Sequence, residues 1–386
     1  MLRFPRKGEW VNIVVIMLDS LRPDYLGCGG HPIVRTPHID RIAREGVFLD
    51  QAYAEYPITV PSRTALVSGN FTFTNRPWCT LRSYDLHIAE LVRDAGYETA
   101  AFSDSPFSAG ANMDRGFDTF EWFAVGKCHR PVAEVDCEIP EAYYPDFATE
   151  SERRFYPNTI MNRCYALQTY GKACPELLFD AALEWIDAHH QKKFFLWIDS
   201  FEPHEPWCPA SPYDTMYRTS PPPRHIPHPV GPSSAWMTEA DLRHVSENYM
   251  GDITHTDEQV GKVVSKLNEH GLLDDTLLVV LSDHGEPFGE HGTIRKFGVP
   301  VYWELACMVW IMRYPPLIPD GLVSEALVEN IDFTPTIADI LGLSLPERRG
   351  EGREFMGYGI SAECDGRSLV PLLKGEQSQV REAAFL

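Results

Sequence analysis

Short, unbroken runs of apolar residues recur along the chain, separated by segments with helical periodicity. The first run covers residues 12–18 (NIVVIML) and leads directly into Asp19. Similar runs cover residues 99–103, 194–198 and 276–281. Runs of this length without polar alternation are typical of parallel strands that are buried on both faces. The pattern therefore predicts a core of parallel strands.

The segments between these runs have apolar residues every three or four positions, as amphipathic helices do. Thr36 is a suitable N-cap, Pro37 suits the first helical position, and Gly46 ends the first helix. The other predicted helices cover residues 86–95, 176–189 and 239–270. Alternation of strands and helices predicts an α/β fold with a mostly parallel central sheet and helices on both faces.

Two segments break this alternation. Residues 121–175 have poor periodicity and many aromatic, proline and cysteine residues, while 203–235 is rich in proline. Such segments are typical of insertions over a sheet edge. We therefore interpret residues 1–345 as one catalytic α/β domain in which these two segments are insertion or substrate loops.

Composition limits the partners of this chain. The formal net charge of -21, without a run of Lys and Arg, disfavours nucleic acid and anionic membranes as partners. No stretch reaches the roughly 20 apolar residues that span a bilayer. The nine cysteines are scattered without CxxC spacing, which indicates a reducing compartment, and we predict a cytoplasmic protein. The sequence leaves open whether the protein forms a homo-oligomer.

Three side chains with metal-binding groups follow two of the predicted strands. Asp19 follows the first strand, and Asp283 and His284 follow the strand at residues 276–281. Ligands of open α/β sheets bind at the carboxyl ends of the strands, so these side chains form a plausible metal site. A single Asp in such a position is more often a helix cap or a turn residue.

A second candidate lies between these strand ends, in the sequence Thr59-Val60-Pro61-Ser62-Arg63. Residues 64–67 favour a helix, so Thr59 is placed to be its N-cap. A hydroxyl there faces free backbone N–H groups and the positive end of the helix dipole, which would favour an alkoxide and the anion that it attacks. Taken alone, the motif fits ordinary helix capping as well.

The stretch from residue 12 to residue 69 resembles the N-terminal signature of the sulfatase family. Its matching segments are NIVVIMLDSLRPDYLGCGGHP, TPHIDRIAREGVFLDQAYAEYP and TVPSRTALVSG. Later landmarks follow in family order: FFLWIDSFEPHEPW, DEQVGKVVSKLNEHGLLDDTLLVVLSDHGEPFGEHG, Lys296 and NIDFTPTIADILGL. The resemblance implies an alkaline-phosphatase-like fold and metal-assisted attack on a sulfate or phosphate ester.

The resemblance also implies a set of metal ligands. Asp19, Asp283 and His284 would bind one divalent metal, and Thr59 would be the nucleophile that also contacts it. An imidazole ligand in place of the amide of many calcium sulfatases favours manganese or zinc, with calcium as an alternative. A second metal at Asp199 and His255 is a weaker hypothesis, because a third ligand at matching spacing is missing.

Further residues receive roles through the same resemblance. Arg63 would hold the nucleophile and the substrate oxyanion, His204 would face the leaving group or a non-bridging oxygen, and Lys296 would neutralise charge on the transferred group. Ser20 and His291 are weaker candidates for contacts with the substrate. A histidine such as His291 is about as often a hydrogen-bonded wall residue.

Thr59 departs from the family pattern in a way that changes the expected chemistry. Sulfatases need Cys or Ser here, because that side chain is oxidised to the aldehyde formylglycine. The extra methyl group of Thr59 excludes an aldehyde, while its hydroxyl can still attack phosphorus. Where many sulfatases have a Lys and a His after a Gly-Tyr pair, this chain has Ala101–Ser105 (AFSDS). The pattern is closer to the phosphonate monoester hydrolase and phosphodiesterase branch.

The preferred interpretation is a hydrolase of small anionic esters, namely phosphate mono- or diesters or phosphonate esters, that uses Thr59. One alternative is a sulfuric ester hydrolase that works without formylglycine. Another is a catalytically silent family member that binds an anion or a partner. Family members continue past a Pro-Leu-Leu-x-Gly segment into a small antiparallel sheet, so residues 346–386 are expected to be a truncated or reduced remnant of that subdomain.

Overall fold

The fold is taken from a computed structural model that describes most of the chain. The described residues are 10–73, 78–123, 166, 170–221, 229, 233–296, 298, 300–345, 354–355, 358–359 and 364–386. Most of the predicted insertion at 121–175, and about a third each of the insertion at 203–235 and of the predicted remnant at 346–386, lie outside the described residues. Within the described residues, no helix is both long enough and apolar enough to cross a membrane.

The centre of the protein is an eight-stranded sheet with the order β5-β4-β6-β1-β7-β8-β2-β9. Its strands are β1 (Asn12–Leu18), β2 (Val47–Leu49), β4 (Glu98–Ser103), β5 (Thr119–Trp122), β6 (Phe194–Ser200), β7 (Thr276–Leu281), β8 (Trp310–Arg313) and β9 (Leu322–Ser324). All neighbours from β5 to β7 are parallel, and only β8 runs against its neighbours. The predicted mostly parallel sheet is confirmed.

Short strands outside this sheet form two small ladders. They are β3 (Ala52–Tyr53) with β10 (Val328–Glu329), and β11 (Glu354–Phe355) with β12 (Tyr358–Gly359). The β3–β10 pair is parallel and the β11–β12 pair is antiparallel.

Helices cover both faces of the central sheet. They are α1 (Pro37–Arg44), α2 (Thr59–Ser68), α3 (Ile88–Asp94), α4 (Cys174–His189), α5 (Tyr213–Met216), α6 (Glu239–Glu269), α7 (Trp303–Ala306), α8 (Phe333–Leu341) and α9 (Val370–Leu373). The predicted start of α1 after Thr36 is confirmed, and the end of α6 falls one residue before its predicted end.

Strand β1 lies in the middle of the sheet and is buried along its whole length. Side chains alternate between the faces of a strand, so Ile13 and Val15 pack in a core with α2, α3 and α8. Val14 and Ile16 pack in the opposite core with α1, α4 and α6. Two covered faces explain why the sequence of β1 is apolar without alternation.

The carboxyl ends of β1, β6 and β7 lie side by side, because β1 pairs in parallel with both of its neighbours. The backbone N–H of Asp19 donates to the carbonyl of Ser200, which extends the pairing of β1 with β6 past the end of β1. Asp199 is the penultimate residue of β6, and Asp283 follows β7 by two residues. Three acidic side chains thus reach one edge of the sheet.

Candidate active site

The two acids and the histidine predicted to bind metal lie together in the structure. One ligand atom from each of Asp19, Asp283 and His284 falls within 4.8 Å of the others. All three residues are 0% exposed. Nε2 of His284 lies 3.3 Å from Oδ2 of Asp283 and 3.9 Å from Oδ1 of Asp19. Such burial of two carboxylates is costly unless cations compensate them.

Ser20 and Lys296 link the cluster from one side. The Ser20 N–H donates to Oδ1 of Asp283 at 3.0 Å, and its hydroxyl donates to Oδ1 of Asp19 at 2.9 Å. Ser20 adopts φ 64°, a left-handed conformation that non-glycine residues rarely use outside special sites. Nζ of Lys296 lies 3.3 Å from the Ser20 hydroxyl and 3.7 Å from Oδ1 of Asp19. Lys296 therefore supplies positive charge to the cluster.

Helix α2 brings Thr59 to the same cluster. The hydroxyl of Thr59 lies 3.4 Å from Nε2 of His284. The predicted N-cap position of Thr59 is wrong, because the N-cap is Ile58, whose extended backbone accepts the first helical hydrogen bond from Ser62. Thr59 is thus the first helical residue. It stays at the positive end of the helix, where backbone N–H groups lack helical partners.

Arg63 lies one helical turn after Thr59 and is completely buried among three carboxylates. Its Nη1 contacts Asp283 Oδ2 and lies 3.1 Å from Oδ2 of Asp19, while Nη2 lies 2.8 Å from Oδ1 of Asp199. Nε also donates to Asp199, and Nη1 lies 3.4 Å from the backbone carbonyl of Thr59. All three nitrogens of Arg63 therefore have protein acceptors, and its contact with a substrate oxyanion stays a prediction.

The protonation of the cluster suits a divalent cation. Burial would raise the pKa of Asp19, but Arg63 and Lys296 lower it well below its usual range. Burial raises the pKa of Asp283 to about 6 against the opposing effect of Arg63. Burial and Lys296 lower the pKa of His284 to about 3, so its imidazole is neutral. The pKa of Asp19 is thus lower than that of the neighbouring Asp283, and Asp19 loses its proton more readily.

The orientation of His284 supports the same conclusion. Its Nδ1 lies 2.7 Å from the carbonyl oxygen of Gly285, which only accepts hydrogen bonds, so Nδ1 carries the proton. The lone pair of Nε2 then faces the carboxylates of Asp19 and Asp283, a repulsive arrangement that a cation would relieve. One imidazole, two carboxylates and the Thr59 hydroxyl form a donor set that fits a divalent metal ion.

His204 lies beside the cluster, in the loop after β6. Its ring stacks on Phe201 with the ring centroids 3.9 Å apart. Burial lowers the pKa of His204 to about 4, and Glu205 and Asp19 oppose this effect. Because His204 and Asp19 affect each other's pKa, the imidazole lies within electrostatic reach of the predicted metal ligands.

The structure gives weaker support to the remaining predicted positions. His291 stacks on Tyr302 and lies 3.5 Å from Oε1 of Glu304, and its side chain is 46% exposed. Across the described ranges, it forms no hydrogen bond or ion pair with the predicted metal ligands. Asp199 is bound by Arg63, whereas His255 stacks on Tyr213, so the two proposed ligands of a second metal have different neighbours.

Several residues at the site were not assigned a role from the sequence. The Ser62 hydroxyl donates to the carbonyl of Asp283 at 2.6 Å, and the Asn330 amide donates to the Ser62 hydroxyl at 2.9 Å. Ser105, in the segment that lacks the family's Lys and His, donates to Asp199. Asp199 was considered from the sequence only for a second metal, and its contact with Arg63 was not predicted, although its position at the end of a buried strand was a usable signal. Ser62 and Asn330 gave none, because small polar residues are common on loops and helix starts.

Comparison with known proteins supports one family assignment. The sequence model of the family described as Sulfatase matches residues 11–343 of this chain. A protein described as multifunctional alkaline phosphatase superfamily protein PehA, from Trinickia caryophylli, is 25% identical over 439 aligned positions. That alignment covers 96% of this chain and 78% of PehA. An arylsulfatase from Clostridium perfringens is also 25% identical, and the alignment covers 87% of this chain and 76% of that enzyme.

The fold has close counterparts among solved structures. The phosphonate monoester hydrolase of Agrobacterium radiobacter superposes with a TM-score of 0.71 at 22% sequence identity. The superposition covers 95% of this chain and 77% of that enzyme. At this identity the likeness establishes the alkaline-phosphatase-like fold, which confirms the predicted fold class.

Proposed function

Because the chain belongs to the sulfatase family, we propose that it hydrolyses singly charged phosphorus esters, either phosphate diesters or phosphonate monoesters, with Thr59 as nucleophile. Members of this family are hydrolases of sulfate or phosphate esters. The observation that carries the choice of phosphorus is the Thr59 hydroxyl at the start of α2, 3.4 Å from Nε2 of His284 in the buried ligand cluster.

The methyl group of Thr59 argues for phosphorus over sulfur. Formylglycine chemistry requires a side chain that can become an aldehyde, and a threonine could give at most a ketone. An unmodified threonine has one hydroxyl, so it lacks the second hydroxyl that expels sulfate by C–O cleavage. A threonine alkoxide needs no such group to displace an alcohol from phosphorus, because water can cleave the resulting phosphothreonine.

The charges at the site support a singly charged substrate. Within the described residues, the carboxylates of Asp19, Asp199 and Asp283 make ion pairs with two cationic side chains, Arg63 and Lys296. One negative charge is left over, and a bound divalent ion would reverse it to one positive charge. A phosphate diester or phosphonate monoester carries one negative charge and matches this balance, whereas a phosphate monoester dianion exceeds it. Sulfate monoesters match it too, so the charge balance alone does not exclude them.

The proposed reaction has two steps. Thr59 Oγ1 loses its proton to solvent and attacks phosphorus, the bond to the leaving oxygen breaks, and that oxygen takes the Nε2 proton of the His204 imidazolium, which becomes neutral imidazole. Water then attacks the phosphothreonine, gives a proton to His204, and the released Thr59 oxygen is reprotonated from solvent. Lys296 stabilises the charge that builds on the phosphoryl oxygens. A divalent ion held by Asp19, Asp283, His284 and Thr59 would lower the pKa of the Thr59 hydroxyl and withdraw charge from those oxygens.

Esters that share one leaving group test the substrate class. Chelated protein would be reconstituted with manganese, zinc or calcium and assayed on 4-nitrophenyl esters of phosphate, methyl phosphate, phenylphosphonate and sulfate. We expect the singly charged phosphorus esters to be the best substrates and activity to disappear on chelation. Faster turnover of the sulfate ester would overturn the substrate class and leave the sulfuric ester alternative.

Substitutions on α2 test the nucleophile. Thr59→Ala should lower kcat by about 10³ or more, whereas Thr59→Ser should keep phosphoesterase activity. Thr64→Ala is the matched control, since it removes a hydroxyl from the same helix that donates only to the Val60 carbonyl at 2.9 Å. Acid quenching during turnover should trap phosphate on Thr59, detected by peptide mass spectrometry. A fully active Thr59→Ala variant would refute the assignment, and inactivity on all esters would favour the silent, anion-binding alternative.

A further inference from the structure

The imidazole of His204 is held by the residue that follows it. Its Nδ1 lies 2.6 Å from the backbone carbonyl oxygen of Glu205 and 3.1 Å from Oε2 of the Glu205 side chain. A backbone carbonyl and an ionised carboxylate only accept hydrogen bonds, so Nδ1 must carry the proton. Nε2 is then the nitrogen that is left to exchange a proton with a substrate.

The Glu205 carboxylate is itself held firmly. Its side chain is 1% exposed, and Oε1 accepts from Nε of Arg295 at 2.9 Å. Arg295 also donates from Nη1 to the carbonyl of Pro229 at 3.2 Å and adopts φ 63°. A left-handed backbone conformation is unfavourable for a residue with a side chain, and it is retained where the surrounding contacts require it.

Arg295 and Lys296 are adjacent in sequence, and each forms an ion pair with a different carboxylate. Arg295 binds Glu205, whereas Lys296 lies 3.7 Å from Oδ1 of Asp19. The backbone at Arg295 and Lys296 therefore connects Glu205, which contacts His204, with Asp19, a predicted metal ligand. Arg295 also places a positive charge beside the buried Glu205 carboxylate, which favours the ionised form of a carboxyl group.

The charged groups that face His204 are Glu205, Lys296 and Asp19. Burial lowers the pKa of His204, Glu205 and Asp19 raise it, and Lys296 lowers it further. The buried Glu286 faces Glu205, and burial and Glu205 raise its pKa well above the usual range. Of the charged groups that raise the pKa of His204, Glu205 has the largest effect.

We propose that Glu205 is a positioning residue, which fixes the Nδ1–H form of His204 and stabilises the imidazolium that donates from Nε2 to the leaving oxygen. This inference rests on the proposed function for the identity of the leaving oxygen. The ester bond breaks with its electron pair on that oxygen, Nε2–H transfers its proton there, and water returns a proton to Nε2 in the second step. Glu205 stays ionised throughout.

Glu205→Gln isolates the charge, because the backbone carbonyl that also fixes the Nδ1–H form is kept. For esters of alkyl alcohols, which leave poorly without a proton, kcat should fall by roughly 10- to 100-fold. For 4-nitrophenyl esters, whose leaving group needs little protonation, the loss should stay within about threefold. The matched control is Glu45→Gln, which neutralises a carboxylate that accepts from Nε of Arg313 at the same 2.9 Å and that, within the described residues, has no hydrogen bond or ion pair with a histidine. Equal losses for both ester types would overturn the inference.

A double-substitution cycle distinguishes positioning from structural support. In a His204→Ala background, Glu205→Gln should change kcat by less than about twofold, because the imidazole on which Glu205 acts is absent. A full loss in that background would show that Glu205 acts by another route and would overturn the proposal.

A measurement without substrate separates this inference from the proposed function. In metal-loaded protein with ¹⁵N-labelled histidine, nuclear magnetic resonance should show His204 in its Nδ1–H form. Its pKa should fall by about one unit in Glu205→Gln, because a negative charge that favours the imidazolium is lost. The alkaline fall of activity on alkyl esters should move to lower pH by the same amount. An unchanged pKa, or an Nε2–H form in the wild type, would overturn the inference even if phosphoesterase activity is absent.

Discussion

Arg63 holds the site together by its own charge. Three carboxylates that would otherwise repel one another surround one guanidinium, and each lies at the end of a different strand or just beyond it. Asp199, Asp283 and Asp19 outweigh burial and raise the pKa of Arg63 well above its usual value, so it stays charged. Buried charges of this kind are tolerated only when they are paired and hydrogen-bonded. Arg63 therefore holds three carboxylates close together, and each of its nitrogens already contacts a protein acceptor.

Lys296 is the cation at the cluster whose loss should affect chemistry most directly. It is 3% exposed, and it contacts Ser20 and Asp19 through a single Nζ atom. Lys296→Ala should lower kcat by a factor on the order of 10² or more, with a smaller change in KM, because the charge that it stabilises develops in the transition state. Steady-state kinetics on a phosphate diester would measure both constants.

Lys262→Ala is the matched control for this substitution. Lys262 lies on α6, is exposed, and donates to Oε1 of Gln259 at 2.7 Å. It should behave as the wild type does. If Lys296→Ala changed KM alone, Lys296 would bind the ground state and the assigned role would be wrong.

At the scale of secondary-structure elements, a polar clamp fixes α2 against the end of β7. Asn330 accepts from the backbone N–H of Glu55 at 3.1 Å and donates to the Ser62 hydroxyl, which in turn donates to the carbonyl of Asp283. Ser62 lies three residues after Thr59 on α2. The clamp therefore sets the distance between Thr59, the proposed nucleophile, and Asp283, one of the predicted metal ligands.

Removing the clamp should reduce both stability and activity. Asn330→Ala removes the acceptor of the Glu55 N–H and one of the two hydrogen bonds of the Ser62 hydroxyl, which should lower the free energy of unfolding by about 1–3 kcal/mol. We also expect kcat to fall by about tenfold or more at temperatures where the variant is fully folded, because Thr59 loses its fixed position. Urea unfolding and kinetics on the same preparation measure both effects.

The control is Asn268→Ala on α6. This amide is exposed and, within the described residues, does not bridge two elements as Asn330 does. Its free energy of unfolding should stay within about 0.5 kcal/mol of the wild type. An Asn330→Ala variant with normal stability and normal kcat would mean that packing alone holds α2 in place.

At the scale of the whole molecule, the net charge opposes the proposed substrate. A protein with a formal net charge of -21 repels a singly negative ester until that ester reaches the local cations. Salt screens this repulsion, since the Debye length falls from about 30 Å near 0.01 M to about 8 Å near 0.15 M ionic strength. We expect kcat/KM to rise about two- to fivefold over this range while kcat is unchanged.

A zwitterionic ester serves as the control for the salt effect. A phosphate diester whose alcohol carries a quaternary ammonium group has no net charge, so its kcat/KM should stay nearly constant over the same range. If kcat/KM for the anionic ester fell with salt instead, the local cations would govern encounter and the global charge would be unimportant.

The sequence by itself determined the four neighbouring parallel strands β1, β4, β6 and β7, the longer helices and the types of residue at the site. Continuous apolar runs predicted β1 and β7 with the bounds that the structure has, because strands covered on both faces need apolar residues at every position. The same logic placed Asp19 and Asp283 at the ends of those strands, on one edge of the sheet. Local patterns suffice for such features because their causes are local.

Tertiary structure alone decided how these residues are paired. Arg63 meets Asp283 across 220 positions, Asn330 meets Ser62 across 268, and Arg295 meets Glu205 across 90. The local periodicity of the sequence does not indicate which distant residue pairs with a buried charge or hydroxyl. The position of Thr59 was also set by context, because the extended backbone of Ile58 begins the helix one residue earlier than the capping preference of threonine predicts. Burial makes each of these groups require a partner, and the packing of the strands and helices determines which partner is within reach.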